Sequence, residues 1–96
     1  MPLVRDYSKF EKNLIEARNI IVEQQNLIVK IYNSKKEKRG ILKKFDNLNR
    51  KIEELRKIYN EIIIFIKTKK SEDLIENKLE EFNRIREQIE FDILTL

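Results

Sequence analysis

From Ile41 to Ile66 the apolar residues fall at Ile41, Phe45, Leu48, Ile52, Leu55, Tyr59, Ile62 and Ile66, spaced 4, 3, 4, 3, 4, 3, 4. This is the seam of a helix packed against another helix, held for more than three heptads. Lys43, Lys44, Asn47, Arg50, Glu53, Glu54, Lys57 and Glu61 stand between the seam positions and supply a solvated face. A helix over 41–66 is about 39 Å long at 1.5 Å per residue.

A second seam precedes it, at Phe10, Leu14, Ala17, Ile21, Gln24, Ile28 and Ile31, and predicts a helix over 8–33. Residues 1–7, with Pro2, read as an extended lead-in. Ser8 and Glu11 have capping-box spacing, so Ser8 is expected to accept from the Glu11 amide. Gln24 occupies a position where an apolar side chain is expected. Such a residue is either tolerated at a partly exposed site or sets register at a cost in stability.

Asn33 to Gly40 interrupts the pattern. Lys35 and Lys38 take what would be seam positions, and Gly40 costs about 1 kcal/mol inside a helix. Ser34 and Glu37 form a second capping-box pair. A turn over 34–40 follows from these features. An unbroken helix is the rival, because Ile31, Lys38 and Phe45 stay in heptad register across the gap.

Lys67 to Ser71 is a second weak point. Ser71 can cap a helix whose first turn carries Glu72 and Asp73, the favourable sign for a helix N-terminus. The third seam, over 72–94, is Ile75, Leu79, Phe82, Ile85, Ile89, Ile93 and Leu96. It runs one residue ahead of the extended central heptads, which turns the apolar stripe by about 100°. A bend or turn is expected at 67–71, although neither Gly nor Pro enforces one.

The fold class is therefore all-α, in one domain spanning 1–96. The expected architecture is an antiparallel coiled-coil hairpin with a third amphipathic segment that packs back or extends the second helix. Apolar residues exceed the seams: Ile15, Ile20, Val22, Leu27, Val29 and Tyr32 in the first segment, and Ile58, Ile63, Ile64 and Phe65 in the second. Either the third segment covers them or another chain does, since monomers rarely expose more than a few hundred Å² of apolar patch. Homo-oligomerisation is one outcome.

Composition narrows the chemistry. The chain has one Gly and one Pro in 96 residues, which argues against sheet-rich folds, and it has neither Cys nor His. Disulfides, thiolate nucleophiles and imidazole bases are thereby excluded, and Ser8, Ser34, Ser71, Thr68 and Thr95 all stand in capping or terminal contexts. The adjacent carboxylates Glu53-Glu54, Glu72-Asp73 and Glu80-Glu81 diverge by about 100° on a helix, so none is a ready acid–base couple. Glu53 has Lys57 four residues on, a favourable pair. No Gly-rich phosphate loop or metal-ligand spacing occurs, and no cofactor is implied. A non-enzymatic protein is expected.

The net charge is +4, from 21 basic and 17 acidic residues. A nucleic-acid binder of this size usually has a larger and more segregated excess. The basic run Lys35, Lys36, Lys38, Arg39, Lys43, Lys44 is broken by Glu37, Gly40, Ile41 and Leu42, so a solvated turn fits it better than a DNA-reading helix. The longest apolar run, Ile62 to Ile66, falls far short of the ~20 residues that span a bilayer, and no membrane contact is expected. Met1 to Asp6 lacks the apolar region of a signal peptide. If the protein is exported, the sequence corresponds to a mature form.

Leu3-Val4-Arg5-Asp6-Tyr7, the phrase Lys9-Phe10-Glu11-Lys12-Asn13-Leu14-Ile15-Glu16-Ala17-Arg18, the following heptads and the Ile/Lys/Asn/Glu bias together resemble the phyllogens, small secreted effectors of phytoplasmas. The resemblance implies a protein released by a bacterium and acting in a plant cell. Such a protein binds the keratin-like K domain of MADS-domain floral transcription factors and brings them to the proteasome through shuttle proteins. It carries no motif of site residues. Apolar character alone nominates Ile21, Ile28, Ile52, Leu55 and Ile62 on the seams, and Ile20, Leu27, Ile63 and Ile64 beside them, as candidate partner contacts. A generic coiled-coil scaffold or assembly subunit is the alternative, with a basic nucleic-acid-binding helix behind it.

Overall fold

A computed structural model describes residues 7–96 as three α-helices, α1 (Ser8–Lys35), α2 (Ile41–Lys67) and α3 (Glu72–Leu94). They contain 28, 27 and 23 residues, or about 42, 40 and 35 Å of helix. Residues 1–6 of the expected lead-in lie outside the described region. Short connections of this kind reverse direction between neighbouring helices. α2 therefore runs antiparallel to both α1 and α3. The third segment packs back on the hairpin and makes a bundle.

The seams became the core. Phe10, Ala17, Ile21, Gln24 and Ile28 of α1 are buried with Ile41, Leu48, Ile52, Leu55, Ile58 and Ile62 of α2, and with Ile75, Phe82, Ile85 and Ile89 of α3. Leu14, Ile31, Phe45, Tyr59, Ile66, Leu79 and Ile93 pack half-buried against them, so no seam residue faces open water. Tyr32 and Phe45 stack across α1 and α2 with ring centroids 4.3 Å apart.

α1 and α3 lie side by side and parallel, in a register that polar contacts fix from end to end. The Tyr7 hydroxyl donates to the Lys70 carbonyl and Lys9 meets Glu72, both at 2.8 Å and both 63 residues apart in sequence. Midway, Gln24 Nε2 donates to the Arg86 carbonyl at 3.3 Å, a separation of 62 residues. At the far end Lys35 Nζ donates to the Leu96 carbonyl at 3.1 Å, a separation of 61 residues. Gln24 is thus buried and bonded across to α3, not partly exposed. Tyr7 is no mere lead-in. It is the N-cap residue of α1, with its ring 6.0 Å from that of Phe10.

The two turns use different chemistry. Gly40 adopts φ +81°, a left-handed conformation, immediately before α2. This ends the unbroken-helix alternative. A Cβ on Gly40 would meet no atom within 4 Å, so only its backbone conformation resists substitution. Gly40→Ala is expected to destabilise the protein by about 1 kcal/mol in urea unfolding. A straight helix would give the opposite sign.

The second turn has no glycine. Lys69 takes the left-handed position at φ +55°. The Lys70 amide donates to the Phe65 carbonyl at 2.9 Å and the Lys69 amide to the Ile66 carbonyl at 3.1 Å. These two bonds are a Schellman motif, satisfying carbonyls that the end of α2 leaves open. Ser71 then caps α3 as expected, its hydroxyl accepting from the Leu74 amide at 3.4 Å.

α1 begins at Ser8 itself, one residue earlier than expected, so Tyr7 stands at the N-cap position. The Ser34 capping expectation is corrected. α1 continues to Lys35, so Ser34 lies inside it and its hydroxyl donates to the Ile31 carbonyl at 2.9 Å.

Candidate partner-binding surface

The nine nominated contacts divide by depth. Ile21, Ile28, Ile52, Leu55 and Ile62 are buried within the monomer's own core. They hold the bundle together and do not face a partner in this conformation. Ile20 and Ile63 are half-buried. Leu27 and Ile64 are exposed, at 43% and 55% of their full area.

α3 accounts for much of the surplus apolar surface. Lys51, Ile58 and Phe65 form one heptad row on α2, and Lys51 pairs with Asp92 of α3. Ile58 is accordingly buried and Phe65 half-buried, while Tyr32 is covered by its stack on Phe45. Ile15, Val22, Leu27, Val29 and Ile64 remain exposed. Ile15, Val22 and Val29 are one heptad apart and align along the outer flank of α1.

Leu74 and Phe91, beside the third seam, are exposed as well, and two exposed apolar residues escaped the sequence reading: Leu42 and, at 85% exposure, Leu94. The signal was adjacency. Leu94 follows the seam residue Ile93, and neighbours on a helix cannot both face the core.

The α2–α3 contact is tied by charge as well as by packing. Lys78 Nζ lies 2.7 Å from Glu61 of α2 and 3.3 Å from Glu81. Its pKa is raised, first by the hydrogen bond to Glu61, against an opposing effect of burial. A raised folded-state value means that this contribution is complete below the unfolded lysine range, about 10.4. It is lost as pH rises through the higher folded value. Urea midpoints from pH 9 to 12 are therefore expected to fall less steeply in Lys78→Met than in the native chain. On α2, Glu53 pairs with Arg56 at 2.5 Å, not with the expected Lys57.

The basic run is partly engaged. Lys35 and Lys38 both donate to the Leu96 carbonyl, at 3.1 and 3.2 Å, so two of its lysines close the end of the bundle. Among the described residues no cluster of His, Cys, Asp or Glu is arranged to hold a metal ion, and no helix is long and apolar enough to cross a membrane. The chain matches no known protein family, no characterised protein and no solved structure.

Proposed function

We propose that this protein is a non-enzymatic helical interaction module. Following its phyllogen-like sequence, we infer a secreted bacterial effector that binds the K domain of plant MADS-domain transcription factors and promotes their degradation through proteasome shuttle proteins. One observation supports the module most directly. The core closes without Ile15, Val22, Leu27, Val29 and Ile64, which stay exposed on the two longest helices. Of these, Ile15, Val22 and Val29 form a row at heptad spacing, the kind of apolar stripe a partner helix docks against.

The test is co-precipitation with K-domain fragments. The native chain is expected to recover at least one such fragment. Leu27→Lys and Ile64→Lys are expected to lower recovery with helicity unchanged by circular dichroism, because neither side chain is in the core. If the native chain recovers no K-domain fragment, the phyllogen reading falls and only a generic coiled-coil module survives.

A further inference from the structure

The net charge of the chain is gathered at one end of the molecule. The bundle measures 64 × 17 × 17 Å, and the α1–α2 turn forms one of its tips. Lys35, Lys36, Lys38, Arg39, Lys43 and Lys44 stand there, all exposed, against two carboxylates, Glu37 and Asp46. Residues 34–46 therefore carry +4, which is the net charge of the whole chain, and the remaining residues balance to zero.

Packing does not cancel this excess. Glu90 and Asp92, near the end of α3, are paired with Arg86 and Lys51. No acidic residue stands in the first turn of α2. Lys35 and Lys38 donate to the Leu96 carbonyl, whereas among the described residues the Lys36, Arg39, Lys43 and Lys44 side chains have no partner. An open hollow of about 450 Å³ lies among Asn33, Ser34, Lys35, Lys36, Glu37 and Lys38, with room for a phosphate group. Leu42, 58% exposed, stands beside Lys43 in the same tip, an apolar side chain set among cations. The opposite tip is built otherwise. Lys9, Lys67, Lys69 and Lys70 share it with Glu72, Asp73 and Glu76, and Lys9 is paired with two of these.

We infer that this tip adsorbs end-on to an anionic phospholipid bilayer, with Lys36, Arg39, Lys43 and Lys44 at the headgroup phosphates and Leu42 entering the interface. Each Lys or Arg near such a surface strengthens adsorption roughly fivefold, and an apolar side chain among the cations adds burial at the headgroup boundary. Among the described residues no helix is long and apolar enough to cross a membrane, which concerns crossing and not adsorption. A nucleic acid is the poorer occupant. Its phosphates give Leu42 no apolar contact, and the tip lacks the continuous basic helix that enters a groove.

Co-sedimentation of the full chain with phosphatidylcholine vesicles, with and without about 30% phosphatidylserine, tests this. Binding to the serine-containing vesicles is expected to exceed binding to the neutral ones about tenfold or more, and to fall as salt is added. Arg39→Gln combined with Lys43→Gln is expected to weaken it about twentyfold. Lys57→Gln combined with Lys67→Gln removes the same charge from exposed positions away from the tip, and is expected to change binding by about twofold or less, because distant charges are screened. Leu42→Gln is expected to weaken vesicle binding about fivefold and to leave binding to duplex DNA unchanged. All five side chains are exposed, so helicity by circular dichroism is expected to stay native. No binding to serine-containing vesicles, equal binding to neutral ones, or an equal loss from the Lys57 and Lys67 changes overturns the assignment. So does vesicle binding that ignores Leu42→Gln. Duplex DNA bound more tightly than serine-containing vesicles at the same salt also overturns it, and makes the tip a nucleic-acid surface.

Discussion

Leu55→Ala is expected to lower the unfolding free energy by about 2–5 kcal/mol, a large share of what a domain this size possesses. Leu55 is fully enclosed midway along α2, where seams from all three helices converge. Truncation there removes transfer energy and leaves a cavity that rigid helical backbones cannot collapse. Ile64→Ala, nine residues along the same helix and more than half exposed, is expected to change stability by about 0.5 kcal/mol or less. Urea titrations of both variants give the comparison, with an unchanged slope confirming that the denatured state is not the cause. Equal effects would mean that α2 does not present the face described above.

The helices were legible because a heptad seam is a redundant signal. Each position repeats the same statement about which face is buried, and tertiary packing obeyed it at every seam residue. The first turn was legible because Gly40 has a conformational reason to be glycine. The second turn was harder to read, since Lys69 adopts a left-handed conformation that its residue type does not advertise. Only the Schellman bonds to Phe65 and Ile66, with the Ser71 cap, make it favourable there. Capping boxes were the weakest signal. Their spacing is local, and a helix that starts one residue early or runs two residues late satisfies its ends in other ways.

The candidate surface was legible only in part. Seam membership and partner contact compete for the same apolar residues, and in a monomer that closes its own core the seam wins. Ile28, Leu55 and Ile62 were therefore spent internally, and Leu27 and Ile64 were left outside. Gln24 shows the limit from the other side. Its type suggested a tolerated polar site, but its meaning came from the Arg86 carbonyl 62 residues away, which no local spacing encodes. Its Oε1 and the Arg86 Nε are buried without hydrogen-bond partners. Such atoms weaken the contact they sit in, in keeping with α1 and α3 being the least closely joined pair.

A chain ending at Lys70 is expected to oligomerise at concentrations where the full chain scatters as a smaller species. Removing α3 uncovers Ile58, which is 3% exposed, and Phe65 on the same heptad row, together with the α3-facing sides of Ile62 and Leu55. It also deletes Asp92 and Lys78, the partners of Lys51 and Glu61, and Glu72 and Glu76, the partners of Lys9. The remaining hairpin keeps its α1–α2 seam, including the Tyr32–Phe45 stack, so it retains a reason to stay helical. It now presents an apolar face across the full length of α2, beyond what a monomer leaves in water. Another hairpin is the nearest surface able to cover that face. Light scattering across a dilution series, with helicity followed in parallel, reads this directly. A truncated chain that stays monomeric and helical would show that α3 lies on the hairpin without completing its core. An oligomer that disperses when Ile58 and Phe65 are replaced by Lys would identify the α2 row under α3 as the adhesive face.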